Sequence, residues 1–83
     1  MYIGKINISL KKSVLDPQGS TILKALHDMG ENNIADLRIG KYVEVKLNLE
    51  SEEKAKETLD RICNNLLVNK VIEIYDIKLE KVN

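Results

Sequence analysis

The strongest periodic signal in the chain is an apolar stripe in its second half. The stripe advances by 4, 3, 1, 3 and 1 residues, as one face of an α-helix does, and its members are Ala55, Leu59, Ile62, Cys63, Leu66 and Leu67. Ser51 precedes the stripe as an N-cap, and Glu52 and Glu53 place negative charge at the positive end of the helix. The sequence therefore predicts a helix that must bury one face.

Other segments alternate with a period of two, which is typical of half-buried strands. Residues 2–10 and 42–49 show this alternation, and residues 71–82 supply the last strand. A shorter alternating segment covers residues 34–39, and Gly40-Lys41 follows as a two-residue turn. These two pieces and the strand at 42–49 predict a hairpin.

A second helix is predicted over residues 17–29. Asp16 is a suitable N-cap, and Pro17 stands at the first helical position, where its missing N–H costs nothing. Gly30 stands where a left-handed C-terminal cap is favoured. Its apolar residues recur at helical spacing and are Ile22, Leu23, Leu26 and Met29.

The element order predicts an α+β fold of the ferredoxin-like βαββαβ type, an antiparallel sheet with two helices on one face. A chain of 83 residues and 9.4 kDa is expected to form a single domain over residues 1–83. So short a chain buries only about 60 to 65% of its unfolded surface, so oligomerisation is a natural supplement to its core.

The sheet face away from the helices is mixed in character, and a protein interface is favoured there over plain solvent. Its predicted members are Ile3, Lys5, Asn7, Ser9, Tyr42, Glu44, Lys46 and Asn48. In the last strand Ile72 and Ile74 have one parity, and Ile77 and Leu79 the other. Either a bulge lies at Tyr75-Asp76, or the strand end leaves its sheet and packs against another chain. The candidate oligomer-interface residues are Ile3, Tyr42, Tyr75, Ile77 and Leu79.

Composition argues against several functions. The formal net charge is zero and the aromatic residues are three Tyr without Phe or Trp, which disfavours nucleic-acid binding. No apolar run approaches the about 18 residues of a membrane span. A single cysteine permits no intramolecular disulfide and fits a reducing compartment, so a cytoplasmic location is expected.

No catalytic or metal-binding residues are predicted. Cys63 lies within the apolar stripe and is interpreted as a small buried hydrophobe. His27 has no second histidine to form a metal pair and is interpreted as solvated. The four glycines are isolated, so no phosphate-binding glycine loop is present.

Two stretches suggest contacts with partners. Gln18 and Gly19 occupy the first turn of the first helix, where a glycine is costly unless another backbone or a ligand approaches closely. Arg38, Lys41 and Tyr42 surround the predicted hairpin tip as a compact cationic site with an aromatic neighbour. The candidate docking residues are Gln18, Gly19, Arg38, Gly40, Lys41 and Tyr42.

The chain resembles the PurS family in several segments, which are VLDPQG at 14–19, ALH at 25–27, Gly30, RIGKY at 38–42, SEE at 51–53 and NKVIE at 69–73. The resemblance covers essentially the whole chain. PurS is the small subunit of the multi-subunit phosphoribosylformylglycinamidine synthase, a glutamine- and ATP-dependent ligase of de novo purine biosynthesis.

The resemblance implies a non-catalytic subunit of an enzyme. It implies two partner subunits, the glutaminase PurQ and the synthetase PurL, and self-association as a homodimer or homotetramer. It implies no cofactor bound by this chain, with ATP and Mg used by the synthetase partner. A competing hypothesis is a small dimeric regulatory module of the amino-acid-sensing type, because such βαββαβ domains also dimerise through sheets and helices.

Overall fold

The computed structural model describes residues 1–82. Its elements are β1 (Tyr2–Leu10), α1 (Pro17–Asp28), β2 (Gly40–Leu47), α2 (Glu52–Ile62), a π-helical turn that continues α2 (Cys63–Leu67), and β3 (Glu73–Lys81). This confirms the predicted α+β class, with an antiparallel sheet and two helices.

The sheet has the strand order β2-β1-β3, so β1 is central and pairs antiparallel with both neighbours. Ile6 lies opposite Val43 on one side and opposite Ile77 on the other. Because side chains alternate along a strand, this register places apolar residues of all three strands on one face. Ile6 and Ile8 are the most deeply buried residues of β1.

The predicted hairpin is wrong. Residues 34–39 form no strand, and Gly40 and Lys41 begin β2, where they lie opposite Ser9 and Ile8. Six residues of alternation are too few to distinguish a strand from a loop whose backbone has other partners. Here the Ile39 N–H donates to a carboxylate oxygen of Asp16 instead of joining a strand ladder.

The core forms where α2 crosses β1 and β3. Ala55, Leu59 and Cys63 of the predicted stripe are fully buried. A Cβ added at Gly4 would lie 2.6 Å from Leu59 Cδ1. Glycine at this position therefore lets α2 approach β1 closely.

The apolar stripe changes register at its end. The Val68 N–H donates to the Cys63 carbonyl, 3.0 Å away, which is a bond over five residues. Such a bond encloses one residue more than an α-helical bond does, so the residues after Cys63 are rotated relative to the stripe. Leu66 is consequently 83% exposed and Val68 is buried. The prediction that Leu66 belongs to the buried face is wrong.

Helix α1 has the predicted caps. The Asp16 side chain accepts a hydrogen bond from the Gly19 N–H, and Pro17 is the first helical residue. Gly30 has a φ of 97°, the left-handed conformation that favours glycine. The predicted bounds of 17–29 agree with the observed helix to within one residue.

Helix α1 does not cover the sheet as predicted. Gly19 is its one buried residue, while Leu23 and Leu26 are half-buried and Ile22 and Met29 are exposed. The radius of gyration is 16.5 Å, whereas a compact domain of this length has about 12 Å. Within one chain, α1 therefore projects beside the sheet. The spacing of its apolar residues predicts a helix but does not predict which surface the helix packs against.

Strand β3 has no bulge and does not leave its sheet. Its pairing with β1 is continuous from Leu10 opposite Glu73 to Tyr2 opposite Lys81. Tyr75, Ile77 and Leu79 share one parity, and all three pack beside the core. Ile74 points to the other face and is 51% exposed. Both explanations offered for the change of apolar parity are therefore wrong, because Tyr75 rather than Ile74 belongs to the inward-facing set.

Candidate docking site

Three segments meet at the N-terminal end of α1, and we call this place the α1 junction. The segments are residues 11–16, the first turn of α1, and residues 36–39. Asp16, which is 6% exposed, is the one buried charged residue in the described part of the chain. Its Oδ1 accepts from the Gly19 N–H at 3.0 Å, and its Oδ2 accepts from the Ile39 N–H at 2.8 Å.

The carboxyl group of Asp16 is held in its charged form. The hydrogen bond from the Gly19 N–H is the largest cause of the lowered pKa of Asp16, and the bond from the Ile39 N–H follows. Both bonds favour the carboxylate over the carboxylic acid. The positive charge of Arg38 lowers this pKa further.

Arg38 supplies a second connection across the junction. Its Nη2 donates to the carbonyl oxygens of Lys11 and Val14, both at 3.0 Å. The side chain crosses from the segment before β2 to the segment before α1. Arg38 is exposed, but its guanidinium group binds the backbone of this chain.

Only glycine fits at position 19, because another backbone segment approaches it closely. A Cβ at this position would lie 2.5 Å from the Leu37 carbonyl oxygen and 2.6 Å from Asp16 Oδ2. Both distances are shorter than a real Cβ contact allows. The interpretation of Gly19 as a point of close approach is confirmed, and the approaching group is the backbone at Leu37.

The predicted compact cationic site does not form, because its three side chains are not brought together. Lys41 and Tyr42 are consecutive in β2, so their side chains point to opposite faces of the sheet. Lys41 Nζ lies 3.1 Å from Glu73 Oε2, and the Tyr42 hydroxyl donates to Glu44 Oε2 at 3.1 Å. Without a hairpin tip, Arg38, Lys41 and Tyr42 have no common surface.

Some predicted docking residues do come together. Gln18 lines an open groove of about 440 Å³ beside the first turn of α1, together with Pro17, Thr21, Ile22 and Ile39. A neighbouring cavity of about 170 Å³ is lined in part by Gln18, Gly40 and Lys41. Gln18 therefore lies between the two cavities, whereas Tyr42 lines neither of them.

Sequence reasoning missed two residues of the junction. Ile39 forms one wall of the groove, and Asp16 was interpreted only as a helix cap. The second hydrogen bond of Asp16 spans 23 residues of sequence. Helix-capping patterns identify only the local bond, so no sequence signal could have indicated the distant one.

The outward sheet face agrees with the prediction for the residues within the strands. The register places Ile3 opposite Lys46, Lys5 opposite Glu44, and Asn7 opposite Tyr42. These residues share one face of the sheet because they lie at alternate positions.

The same face also includes Glu80 of β3, which lies 2.8 Å from Lys5 as an ion pair. The hydrogen bond and charge of Glu80 raise the pKa of Lys5.

The five oligomer-interface candidates do not form one surface. Ile3 and Tyr42 lie on the outward face, whereas Tyr75, Ile77 and Leu79 lie on the core face. The hydroxyl of Tyr75 donates to Asp60 Oδ1 of α2 at 3.2 Å. The five candidates are therefore divided between the two faces of the sheet, and their part in an oligomer interface stays a prediction.

Cys63 and His27 have the environments that were expected. Cys63 is fully buried, and burial followed by the charge of Asp60 raises the pKa of its thiol. His27 is exposed, and its Nε2 lies 2.7 Å from the Ile34 carbonyl oxygen. Within residues 1–82, no cluster of three or more His, Cys, Asp or Glu side chains could hold a metal ion. No helix of this part of the chain could cross a membrane.

Fold and site together define a small α+β domain with an open groove beside the N-terminal end of α1. The chain belongs to the PurS family: the family model described as phosphoribosylformylglycinamidine (FGAM) synthase matches residues 4–81.

Known relatives are similar over nearly the whole chain. The phosphoribosylformylglycinamidine synthase subunit PurS of Bacillus subtilis is 47% identical over 83 residues, covering 99% of this chain and 96% of the relative. The crystal structure of Methanocaldococcus jannaschii PurS matches with a TM-score of 0.90 at 42% identity, covering all of both chains. A chain of the PurLQS structure from Thermotoga maritima matches with a TM-score of 0.87 at 32% identity, covering 95% of this chain and 96% of that one.

Proposed function

We propose that this chain is the non-catalytic small subunit of a phosphoribosylformylglycinamidine synthase. Its membership of the PurS family over residues 4–81 is the observation that carries the proposal. The Thermotoga maritima relative, whose structure is that of PurLQS, supports an assembly with PurL-type and PurQ-type subunits. The chain then belongs to an enzyme complex without contributing a reacting group.

The reaction of the complex joins nitrogen to carbon. A PurQ-type glutaminase releases ammonia from glutamine, and a PurL-type synthetase uses ATP and Mg to activate the amide of formylglycinamide ribonucleotide. The products are formylglycinamidine ribonucleotide, glutamate, ADP and phosphate. The small subunit assembles the two larger subunits and couples their sites, so that ammonia reaches the synthetase. The pathway is de novo purine biosynthesis, and the proposed location is the cytoplasm.

The exposed surface around the α1 junction is the proposed docking surface for the larger subunits. Gln18 is exposed between two cavities, and Ile22, one turn further along α1, remains 41% exposed. An apolar helix surface left uncovered within a chain is typical of protein contacts. Lys41 and its ion-pair partner Glu73 lie at the edge of this surface, where charged groups affect partner choice and association rate.

The outward sheet face is the proposed homo-oligomer contact. The residues Ile3 and Tyr42 supply its apolar and aromatic parts, and Tyr42 is 55% exposed. The ion pair between Lys5 and Glu80 neutralises two of its charges. A contact between copies of the chain also compensates for the small core of the single domain.

Product formation by the cognate glutaminase and synthetase tests this proposal. The assay uses glutamine or ammonium as the nitrogen donor, each with and without this chain. We expect the chain to be required with glutamine and to be partly bypassed by ammonium, because ammonium needs no coupling of the two sites. Unchanged rates with both donors would refute the proposal. A thermal-shift screen with amino acids and nucleotides would then test the regulatory alternative.

A further inference from the structure

Helix α1 is attached to the sheet by few contacts. Only Gly19 of the helix is buried, and α2 rather than α1 packs across the strands. The direction of α1 therefore depends strongly on the α1 junction. Two side chains connect the three segments that meet there. Asp16 accepts hydrogen bonds from first-turn and Ile39 backbone N–H groups, and Arg38 donates to backbone carbonyl oxygens of the segment before α1.

Asp16 connects the two walls of the groove beside α1. Its Oδ1 binds the Gly19 N–H in the first helical turn, next to Gln18. Its Oδ2 binds the Ile39 N–H, and Ile39 forms the facing wall. One carboxylate thus connects the two walls directly.

A carboxylate is suited to this position because it offers two acceptor oxygens and no donor. Asparagine has one acceptor oxygen and an NH₂ group. In Asp16→Asn, the oxygen can still cap α1, but the NH₂ group then faces the Ile39 N–H, which is also a donor. The substitution therefore removes the distant bond while keeping the local one.

We propose that Asp16 is a positioning residue for the docking surface: by joining Gly19 to Ile39, it holds Gln18 and the groove in the arrangement that the larger subunits bind. This inference rests on the proposed function. Asp16 is only 6% exposed and its two carboxylate oxygens bind backbone N–H groups of this chain, so it acts through the backbone.

The test compares Asp16→Asn with Ser51→Ala in the reconstituted three-subunit enzyme. Ser51 is also an N-cap, with its Oγ accepting from the Lys54 N–H at 3.3 Å, but it caps α2 and lines neither cavity of the docking surface. Both variants are expected to lower the melting temperature of the isolated chain. Ser51→Ala therefore controls for a loss of stability that arises away from the docking surface.

The readout is the concentration of the small subunit that gives half-maximal glutamine-dependent product formation. We expect Asp16→Asn to raise this concentration by about tenfold, with a smaller effect on the ammonium-dependent rate. Ser51→Ala is expected to change it by less than about twofold. Hydrogen exchange at the Ile39 amide should accelerate in Asp16→Asn alone, because its acceptor is lost.

A half-maximal concentration for Asp16→Asn within twofold of the wild-type value would overturn the inference. An equal rise with Ser51→Ala would overturn it too, because the effect would then reflect stability alone. In both cases the proposed function would stand, provided that the wild-type chain is required with glutamine. If the wild-type chain has no effect on either rate, the proposed function fails and the inference fails with it.

Discussion

Leu59→Ala tests whether α2 is held to the sheet by the core described above. Leu59 is fully buried, and its Cδ1 fills the space over Gly4. Removing a buried leucine side chain costs about 2–5 kcal/mol, because apolar contacts are lost and a cavity remains. Gly4 contributes no side chain that could move into the space.

The expected loss is large for a domain of this length. Domains are stable by about 0.05–0.15 kcal/mol per residue, which gives about 4–12 kcal/mol for 83 residues. Each 1 kcal/mol shifts the melting temperature of so small a domain by about 4–8 °C. Leu59→Ala should therefore lower the melting temperature by at least about 8 °C.

Urea unfolding followed by circular dichroism measures this loss, and it should be repeated at several protein concentrations to separate unfolding from dissociation of an oligomer. Leu66→Ala is the matched control, because the same side chain is removed from a residue that is 83% exposed. It should change the free energy of unfolding by less than about 0.5 kcal/mol. Equal losses for the two variants would refute the packing of α2 through Leu59.

Three further predictions concern packing, charge and pH. Gly4→Ala should cost about 1–3 kcal/mol by overpacking against Leu59, and in urea unfolding this cost should shrink when Leu59→Ala is also present. Lys41→Glu should weaken binding to the larger subunits in a titration while the fold stays intact. The control is Glu73→Gln, which breaks the same ion pair without reversing the charge at Lys41 and should bind normally. Normal binding by Lys41→Glu would remove Lys41 from the docking surface. The folded-state pKa of Asp16 lies below its unfolded value of about 3.9. The charged carboxylate therefore stabilises the fold at pH values above the unfolded pKa, and this stabilisation is lost as the pH falls through the folded-state pKa. The difference in urea midpoint between wild type and Asp16→Asn should therefore shrink on acidification from neutral pH, and a constant difference would contradict the two hydrogen bonds of Asp16.

The sequence by itself determined the features that depend on near neighbours. The alternation in residues 2–10 identified β1, and the Asp16 and Ser51 caps identified the starts of both helices. The glycine at position 30 identified the end of α1, and its left-handed backbone conformation agrees with this. Each of these signals involves residues within about one helical turn or one strand, where spacing and side-chain chemistry suffice. The family resemblance over the whole chain then indicated the function that the proposal adopts.

Only the tertiary structure decided which segment paired with which. Residues 34–39 alternate like a strand, but Ile39 donates to Asp16 rather than to a sheet. The π-helical turn exposes Leu66, and α2 but not α1 covers the sheet. These outcomes depend on contacts between residues far apart in the chain, and local periodicity carries no information about such partners. The α1 junction is of this kind, because one carboxylate joins two segments that are 23 residues apart in sequence.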